Sequence, residues 1–142
     1  MGKTFMIHRL ITLSSKLWQG MVDHALREIP NECCGVLLGA EGKFQRLIPM
    51  RNVRPSPSSY FMDPERQVQV YSEMEKSGEQ LLGIYHSHPN GPPYPSDTDL
   101  KLAFHPDAIY FIVSLEDKHN PSVGAFQLLN QEFTEIQILK SD

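Results

Sequence analysis

Two histidines separated by one residue, in the segment His86-Ser87-His88-Pro89, are the first candidates for chemistry. The apolar run before them predicts a strand, and side chains at i and i+2 of a strand project from the same face. Both imidazoles can then reach one metal ion, and imidazole is a favoured zinc ligand. The pair alone leaves an alternative open, because two polar residues at a strand end need have no ligand role.

A carboxylate follows in the segment Ser96-Asp97-Thr98-Asp99, after a loop that contains four prolines. As a helix start, Ser96 would be the N-cap and Asp99 the third helical residue, which is close to a capping box. That structural role leaves a second one open, since a carboxylate on the first turn can also be directed back at the two histidines. Two histidines, one carboxylate and a water molecule would form the open tetrahedral site of a hydrolytic zinc enzyme.

Such an enzyme also requires a group that takes a proton from water, and Glu32 is the candidate. It stands at the edge of the apolar run Cys34–Leu38, where a carboxylate is costly unless it is paired or catalytic. From its position two residues after Pro30 alone, the simpler interpretation is that Glu32 is an exposed turn residue.

Taken together, these residues make the sequence resemble the JAMM (MPN-plus) metalloprotease family. The chain reads E…HSHPNGPPYPSDTD, with a residue of the family's type at every motif position. The resemblance implies one zinc ion per chain, held by His86, His88 and Asp99. It also implies that Glu32 is the general base and acid, and that Ser96 donates a hydrogen bond to the oxyanion.

JAMM domains of this kind hydrolyse amide or isopeptide bonds that follow the Gly-Gly tail of ubiquitin-like proteins. Only nine residues separate Asp99 from Ile109, which leaves no room for the insertions that clamp two ubiquitins in chain-specific members. The resemblance is therefore to the minimal prokaryotic type. It implies that the partner is the C-terminal tail of a ubiquitin-like or sulfur-carrier protein, from which cysteine or a C-terminal extension is released. A desampylase- or deubiquitinase-like isopeptidase that acts on protein conjugates is the alternative.

The substrate tail is expected to lie extended along a sheet edge, with the loop Arg51–Asp63 as one wall. Tyr60 and Phe61 are expected to narrow this passage, although loop aromatics also pack into cores.

Two other function classes fit the sequence less well. Zinc nucleoside deaminases require the motifs H-x-E and P-C-x-x-C, and the chain contains neither of them. A metal-free interaction module of the MPN-minus kind would have lost ligands that this sequence keeps.

The elements that must position the site can be predicted from the apolar patterns and the capping residues. The predicted strands cover residues 5–13, 34–38, 43–50, 81–88, 109–115, 123–129 and 133–139, and the predicted helices cover about 15–28, 64–78 and 96–104. Because strands and helices interleave, we predict one α/β domain over residues 1–142 with a mixed sheet. The resemblance adds that the sheet is curved and flanked by helices, in a cytidine-deaminase-like architecture. The second helix is expected to direct Val68, Tyr71 and Met74 inwards.

Composition excludes several classes of protein. Thirteen basic and seventeen acidic residues give a formal charge of −4, which argues against a nucleic-acid partner. No apolar run approaches the ~20 residues of a membrane span, and no signal peptide is recognisable, so we expect a cytoplasmic protein. The adjacent Cys33 and Cys34 are expected to be buried free thiols, and the isolated histidines to be surface or loop residues: His8, His24, His105 and His119. The oligomeric state is left open.

Overall fold

The computed structural model describes residues 9–103 and 105–142. The ten elements are β1 (Leu10–Ser14), α1 (Ser15–Glu28), β2 (Cys34–Ala40), β3 (Lys43–Met50), α2 (Pro64–Ser77), β4 (Gln80–His88), α3 (Asp97–Leu102), β5 (Ile109–Ser114), β6 (Ser122–Leu129) and β7 (Glu132–Ser141). Residues 5–8 of the first predicted strand, with His8 among them, and the predicted helix end at Phe104 lie outside the described residues. The other predicted boundaries agree with the structure to within two residues.

All seven strands form one mixed sheet in the order β1-β7-β6-β5-β4-β2-β3. The pairs β1–β7 and β4–β5 are parallel, and the other neighbours are antiparallel. The two edge strands, β1 and β3, also contact each other, so the sheet curls around on itself. The predicted mixed, curved sheet is therefore confirmed.

Local sequence signals explain where the helices begin and end. The Ser14 side chain accepts a hydrogen bond from Leu17 N at the start of α1, as N-cap residues do. Asp63 caps α2 in the same way, with a proline at the first helical position, and Gly78 ends that helix in the left-handed conformation, where glycine has no steric penalty.

Each face of the sheet has its own apolar core. One core contains α1 residues such as Met21 and Ala25 together with Tyr85 and Phe111. The other lies under α2 and contains Cys34. The metal-binding candidates face this second core, because they share the parity of Cys34 along the strands.

The expected orientation of α2 is wrong. Val70, which is 3% exposed, is the buried residue of this helix, whereas Val68 is 68% exposed and Tyr71 also lies at the surface. Met74 is half-buried against the core, as expected. The inward stripe is Gln67, Val70 and Met74, at helical spacing i, i+3 and i+7. Because Gln67 is polar, this stripe does not appear as an apolar pattern in the sequence.

The register of β2 against β4 brings the candidate residues together. Cys34 lies opposite His86 in this antiparallel pair, so Glu32, two residues earlier, lies beside His88, two residues later. No helix within the described ranges is long and apolar enough to span a membrane.

Candidate metal centre and active cleft

His86 and His88 project from the same face at the carboxyl end of β4, as the i, i+2 spacing predicts. Their Nε2 atoms are 3.2 Å apart. The crossover from β4 to the parallel strand β5 passes through α3, which returns Asp99 to this end of the sheet. Asp99 Oδ1 lies 3.1 Å from His86 Nε2, and Asp99 Oδ2 lies 3.0 Å from His88 Nε2.

The helix start that carries Asp99 is a complete capping box. Ser96 Oγ accepts from Asp99 N at 3.1 Å, and Ser96 N donates to Asp99 Oδ2 at 2.9 Å. Both possibilities that the sequence left open for Asp99 are thus compatible, because one oxygen caps the helix while the carboxylate also faces the histidines.

The donor atoms of this group suit a metal ion. His88 Nδ1 must be the protonated ring nitrogen, since it lies 2.9 Å from the carbonyl oxygen of Pro92, which can only accept. The lone pair of neutral His88 is then on Nε2 and points at His86 and Asp99. Zinc bonds of 2.0–2.1 Å at tetrahedral angles would separate neighbouring ligand atoms by about 3.3–3.4 Å. The observed separations of 3.0 to 3.2 Å are close to that value.

The pKa values of the three groups reflect their contacts. Burial lowers the pKa of His86. Burial would also lower the pKa of His88, but the contacts with Asp99 and the Pro92 carbonyl raise it overall. Burial opposes ionisation of Asp99, yet hydrogen bonds from both imidazoles hold its pKa well below the usual value. Asp99 is therefore ionised near neutral pH, as a metal ligand would need to be.

Glu32 is buried, with 3% exposure, and is not the exposed turn residue that spacing alone suggests. Burial raises its pKa to about 8, the nearby charge of His88 lowers it and that of Asp99 raises it further. Among the described residues, two buried side-chain polar atoms have no hydrogen-bond partner, Glu32 Oε1 and His86 Nδ1. Unsatisfied buried polar atoms are rare in native proteins, and here both belong to one site.

One surface cleft of about 340 Å³ contains Glu32, His88 and Ser96 together. One wall is the proline-rich loop between β4 and α3, residues 89–96. Pro57 and Ser58 form the other wall. The Ser96 hydroxyl uses a lone pair for the cap, so its proton is available for donation into this cleft.

Tyr60 and Phe61 do not line this cleft. Tyr60 stacks on the His86 ring with a centroid separation of 4.8 Å, and burial raises its pKa. Phe61 is 44% exposed and carries the Arg54 guanidinium over its ring. The structure therefore gives Tyr60 a contact with the metal-binding candidate His86, and the role of Tyr60 and Phe61 in substrate binding remains a prediction.

Among the described residues, the other histidines and the two cysteines do not belong to the group that could hold a metal ion. His24 is buried, contrary to the expected surface or loop position, and its Nδ1 lies 2.8 Å from Tyr85 Oη. His119 lies in the loop before β6. Cys33 and Cys34 are buried free thiols, as expected.

Sequence reasoning missed the residues that hold the proline-rich loop in place. Ser114 Oγ donates to the carbonyl oxygen of Gly91. Gly124 lets the same loop cross β6, because a Cβ atom there would lie 2.4 Å from Pro93 O. Through this loop, both residues support the Pro92 carbonyl that orients His88. In the sequence, neither Gly91 nor Gly124 indicates this contact, because a single glycine in a loop or a strand has many possible causes.

Comparison with known proteins assigns the chain to a family. Residues 14–129 match the family described as prokaryotic homologues of the JAB domain. The chain belongs to this family. The JAMM/MPN resemblance inferred from the motif is thereby confirmed, and the fold is that of a JAB domain.

Several known proteins are similar to this chain over most of its length. The CysO-cysteine peptidase of Mycobacterium tuberculosis is 41% identical over 128 residues, which cover 89% of this chain and 88% of that protein. The desampylase of Haloferax volcanii is 34% identical over 112 residues, covering 77% and 78% of the two chains. A solution structure of a protein from Desulfitobacterium hafniense superposes with a TM-score of 0.83 at 35% identity, covering 93% of each chain.

Proposed function

We propose that this JAB-family chain is a zinc-dependent peptidase that cleaves the amide bond after the C-terminal Gly-Gly of a ubiquitin-like or sulfur-carrier protein. The group released would be cysteine or a C-terminal extension. The similarity to a CysO-cysteine peptidase over most of both chains supports this substrate class. The two free buried cysteines suit a reducing compartment, and we place the enzyme in the cytoplasm. We propose that residues 1–142 make up the JAMM/MPN-plus metallopeptidase domain.

The proposal rests on the convergence of three candidate ligand groups beside Glu32, a buried residue whose Oε1 atom has no hydrogen-bond partner. The Nε2 atoms of His86 and His88 are 3.2 Å apart, and one oxygen of Asp99 lies 3.1 Å from the first and the other lies 3.0 Å from the second. These residues would hold the zinc ion. When bound, zinc supplies Lewis-acid chemistry, which polarises a carbonyl and acidifies water.

Glu32 supplies the proton transfers. Its Oε1 has no other partner, so it can accept a proton from water in the cleft and return that proton to the nitrogen of the departing amine. A carboxylate whose pKa is raised to about 8 titrates close to neutral pH, which suits both directions of transfer. Since the carboxylate is buried, neither transfer competes with a full hydration shell.

Ser96 stabilises the charge that develops on the scissile carbonyl. Its oxygen is fixed by the cap to Asp99 N, and its hydroxyl proton can be donated to the carbonyl oxygen of the substrate. This donor is already oriented before substrate arrives, which is the condition under which hydrogen bonds raise the rate. The Gly-Gly tail would lie between the Pro57–Ser58 wall and the proline-rich loop.

The test uses zinc-loaded protein and a ubiquitin-fold carrier that ends in Gly-Gly-Cys, with the products read by intact mass. We expect release of cysteine, loss of release after chelation and recovery when zinc is restored. The Glu32→Gln form is the matched control, because it keeps the size of the side chain. Failure of the zinc-loaded protein to cleave any such carrier would overturn the proposal.

A second candidate is an isopeptidase that acts on protein conjugates. It is supported by the similarity to a desampylase and by the open cleft, which can accept a branched lysine as well as a free residue. The same assay with a carrier joined to a lysine side chain compares the two. Faster cleavage of the conjugate than of the cysteine adduct would favour the isopeptidase.

A further inference from the structure

Asn52, in the loop between β3 and α2, makes four hydrogen bonds through one side chain. Its Nδ2 donates to Glu32 O at 3.1 Å and to Ser59 O at 3.3 Å. Its Oδ1 accepts from Arg54 N at 3.1 Å and from Phe61 N at 3.0 Å. An amide side chain has two donor hydrogens and two acceptor lone pairs, so Asn52 uses its full capacity.

The partners of Asn52 belong to two parts of the site. Two of its loop partners are the residues on either side of Tyr60, whose ring stacks on the metal-binding candidate His86. Another partner is the backbone of Glu32. One side chain thus joins the segment that packs against a ligand to the segment that carries the proton acceptor.

Glu32 needs such support because it precedes the first residue of β2. Its own N–H donates to Ser56 O in the same loop at 2.8 Å. The next amide, Cys33 N, donates to Ser87 Oγ at 2.8 Å. Of these contacts, those with Asn52 and Ser56 tie the Glu32 peptide to the loop. The Asn52 side chain also bonds to three other residues of that loop.

We propose that Asn52 is a positioning residue that fixes the Glu32 backbone and Tyr60 as one unit, and so directs the Glu32 carboxylate towards the metal-binding group. This inference rests on the proposed function, in which Glu32 transfers the proton. The chemistry requires an amide. Aspartate would keep the acceptor bonds but would place an oxygen opposite the carbonyls of Glu32 and Ser59.

A double-mutant cycle with Glu32→Gln tests the proposal under single-turnover conditions. We expect Asn52→Ala and Asn52→Asp each to lower the cleavage rate at saturating substrate at least tenfold in the otherwise native protein, with zinc content unchanged. In the Glu32→Gln background, Asn52→Ala should cost less than twofold, because the group that it positions is already disabled. An equal loss in both backgrounds would mean a general structural role and would overturn the proposal.

Amide hydrogen exchange on the metal-free protein gives a readout that does not depend on activity. Asn52→Ala should increase exchange at Phe61 N and Glu32 N at least tenfold, and unchanged exchange at both would overturn the inference. Asp63→Ala is the control, since it removes the α2 cap at the other end of the same loop and should leave the Glu32 amide unchanged. If Glu32→Gln proved fully active, the proposed function would fail, whereas the exchange data would still decide whether Asn52 holds this unit.

Discussion

The Oδ2 atom of Asp99 makes two contacts that belong to different functions. Its Oδ2 accepts the hydrogen bond from Ser96 N and also lies 3.0 Å from His88 Nε2. A capping box needs an acidic or amide side chain at the third helical position, and a metal site needs an ionised ligand. One aspartate can meet both needs, so we expect Asp99→Ala to remove the capping contact and the proposed metal ligand together, whereas Asp99→Asn could keep the capping contact.

Replacing Glu32 with glutamine should separate proton transfer from metal binding. The amide keeps the size of the side chain but cannot accept the proton, so we expect kcat to fall by about 10²–10⁴. Zinc content should not change, because Glu32 is outside the ligand group. Elemental analysis and carrier cleavage, measured on the same sample, check both halves. Unchanged turnover would remove Glu32 from the mechanism.

Ser96 has a structural and a chemical role that two substitutions can distinguish. Ser96→Ala removes the cap acceptor and the donor together, and we expect kcat to fall by about 10²–10³, the effect of one oxyanion donor. Ser96→Thr keeps both functions and should retain most of the activity. Thermal unfolding measured alongside reports the loss of the cap, for which about 0.5–2 kcal/mol is typical. Equal activity of the alanine and threonine forms would contradict the donor role.

At the scale of elements, the proline-rich loop after β4 contacts its neighbours through its own backbone carbonyl oxygens. A side chain at Gly124 would collide with Pro93 O, so Gly124→Ala should shift the loop and weaken the hydrogen bond from His88 Nδ1 to Pro92 O. Loss of such support typically lowers metal affinity by about 10–100-fold. Competition with a chromogenic chelator would measure this change.

The control for that experiment is Gly91→Ala in the same loop. A Cβ atom there would meet its nearest neighbour, His88 Cβ, at 3.6 Å, an ordinary contact. We therefore expect Gly91→Ala to retain the zinc affinity of the native protein. Equal affinities for the Gly124 and Gly91 variants would show that the close approach at Gly124 does not act on His88.

The sequence predicts the elements of this fold well, because its signals are local. Caps, the Asp63-Pro64 start and continuous apolar runs place the boundaries. The orientation of α2 could not be predicted, since polar Gln67 belongs to the inward stripe and donates to Met62 O. Four of the five JAMM motif residues stand close together in sequence. The Asn52 contacts were beyond prediction, because they depend on how a loop without periodicity folds over Glu32.

At the scale of the whole molecule, burial decides the behaviour of the two cysteines. Desolvation raises the pKa of both Cys33 and Cys34 to about 12, so neither thiol forms an appreciable thiolate at pH 8. We expect no reaction with Ellman's reagent in the native protein, and reaction of two thiols per chain in guanidinium chloride. Rapid labelling of the folded protein would contradict this packing.

The two walls of the cleft bear on the substrate that we propose. The carrier's folded body and its extended tail should supply most of the affinity, and glycine is needed where the tail passes between Pro57–Ser58 and the proline-rich loop. Changing the terminal Gly-Gly of a carrier to Ala-Ala should abolish cleavage, while changing the released residue should alter the rate only modestly. Mass spectrometry on a panel of carrier fusions measures both. Efficient cleavage of the Ala-Ala form would indicate a broader metallopeptidase.

The strand register has a consequence for protein engineering. The metal-binding group lies at the end of β4, next to the start of β2. Two turns lie at the opposite ends of the strands: the β2–β3 turn at Glu41–Gly42 and the β6–β7 turn at Asn130–Gln131. All four turn residues are exposed, and nothing lies within 4 Å of a Cβ atom built at Gly42. Exposed loop tips tolerate added sequence best. Fluorescent reporters or affinity tags can therefore be inserted at either turn while the strands that align Glu32 with the histidines keep their pairing.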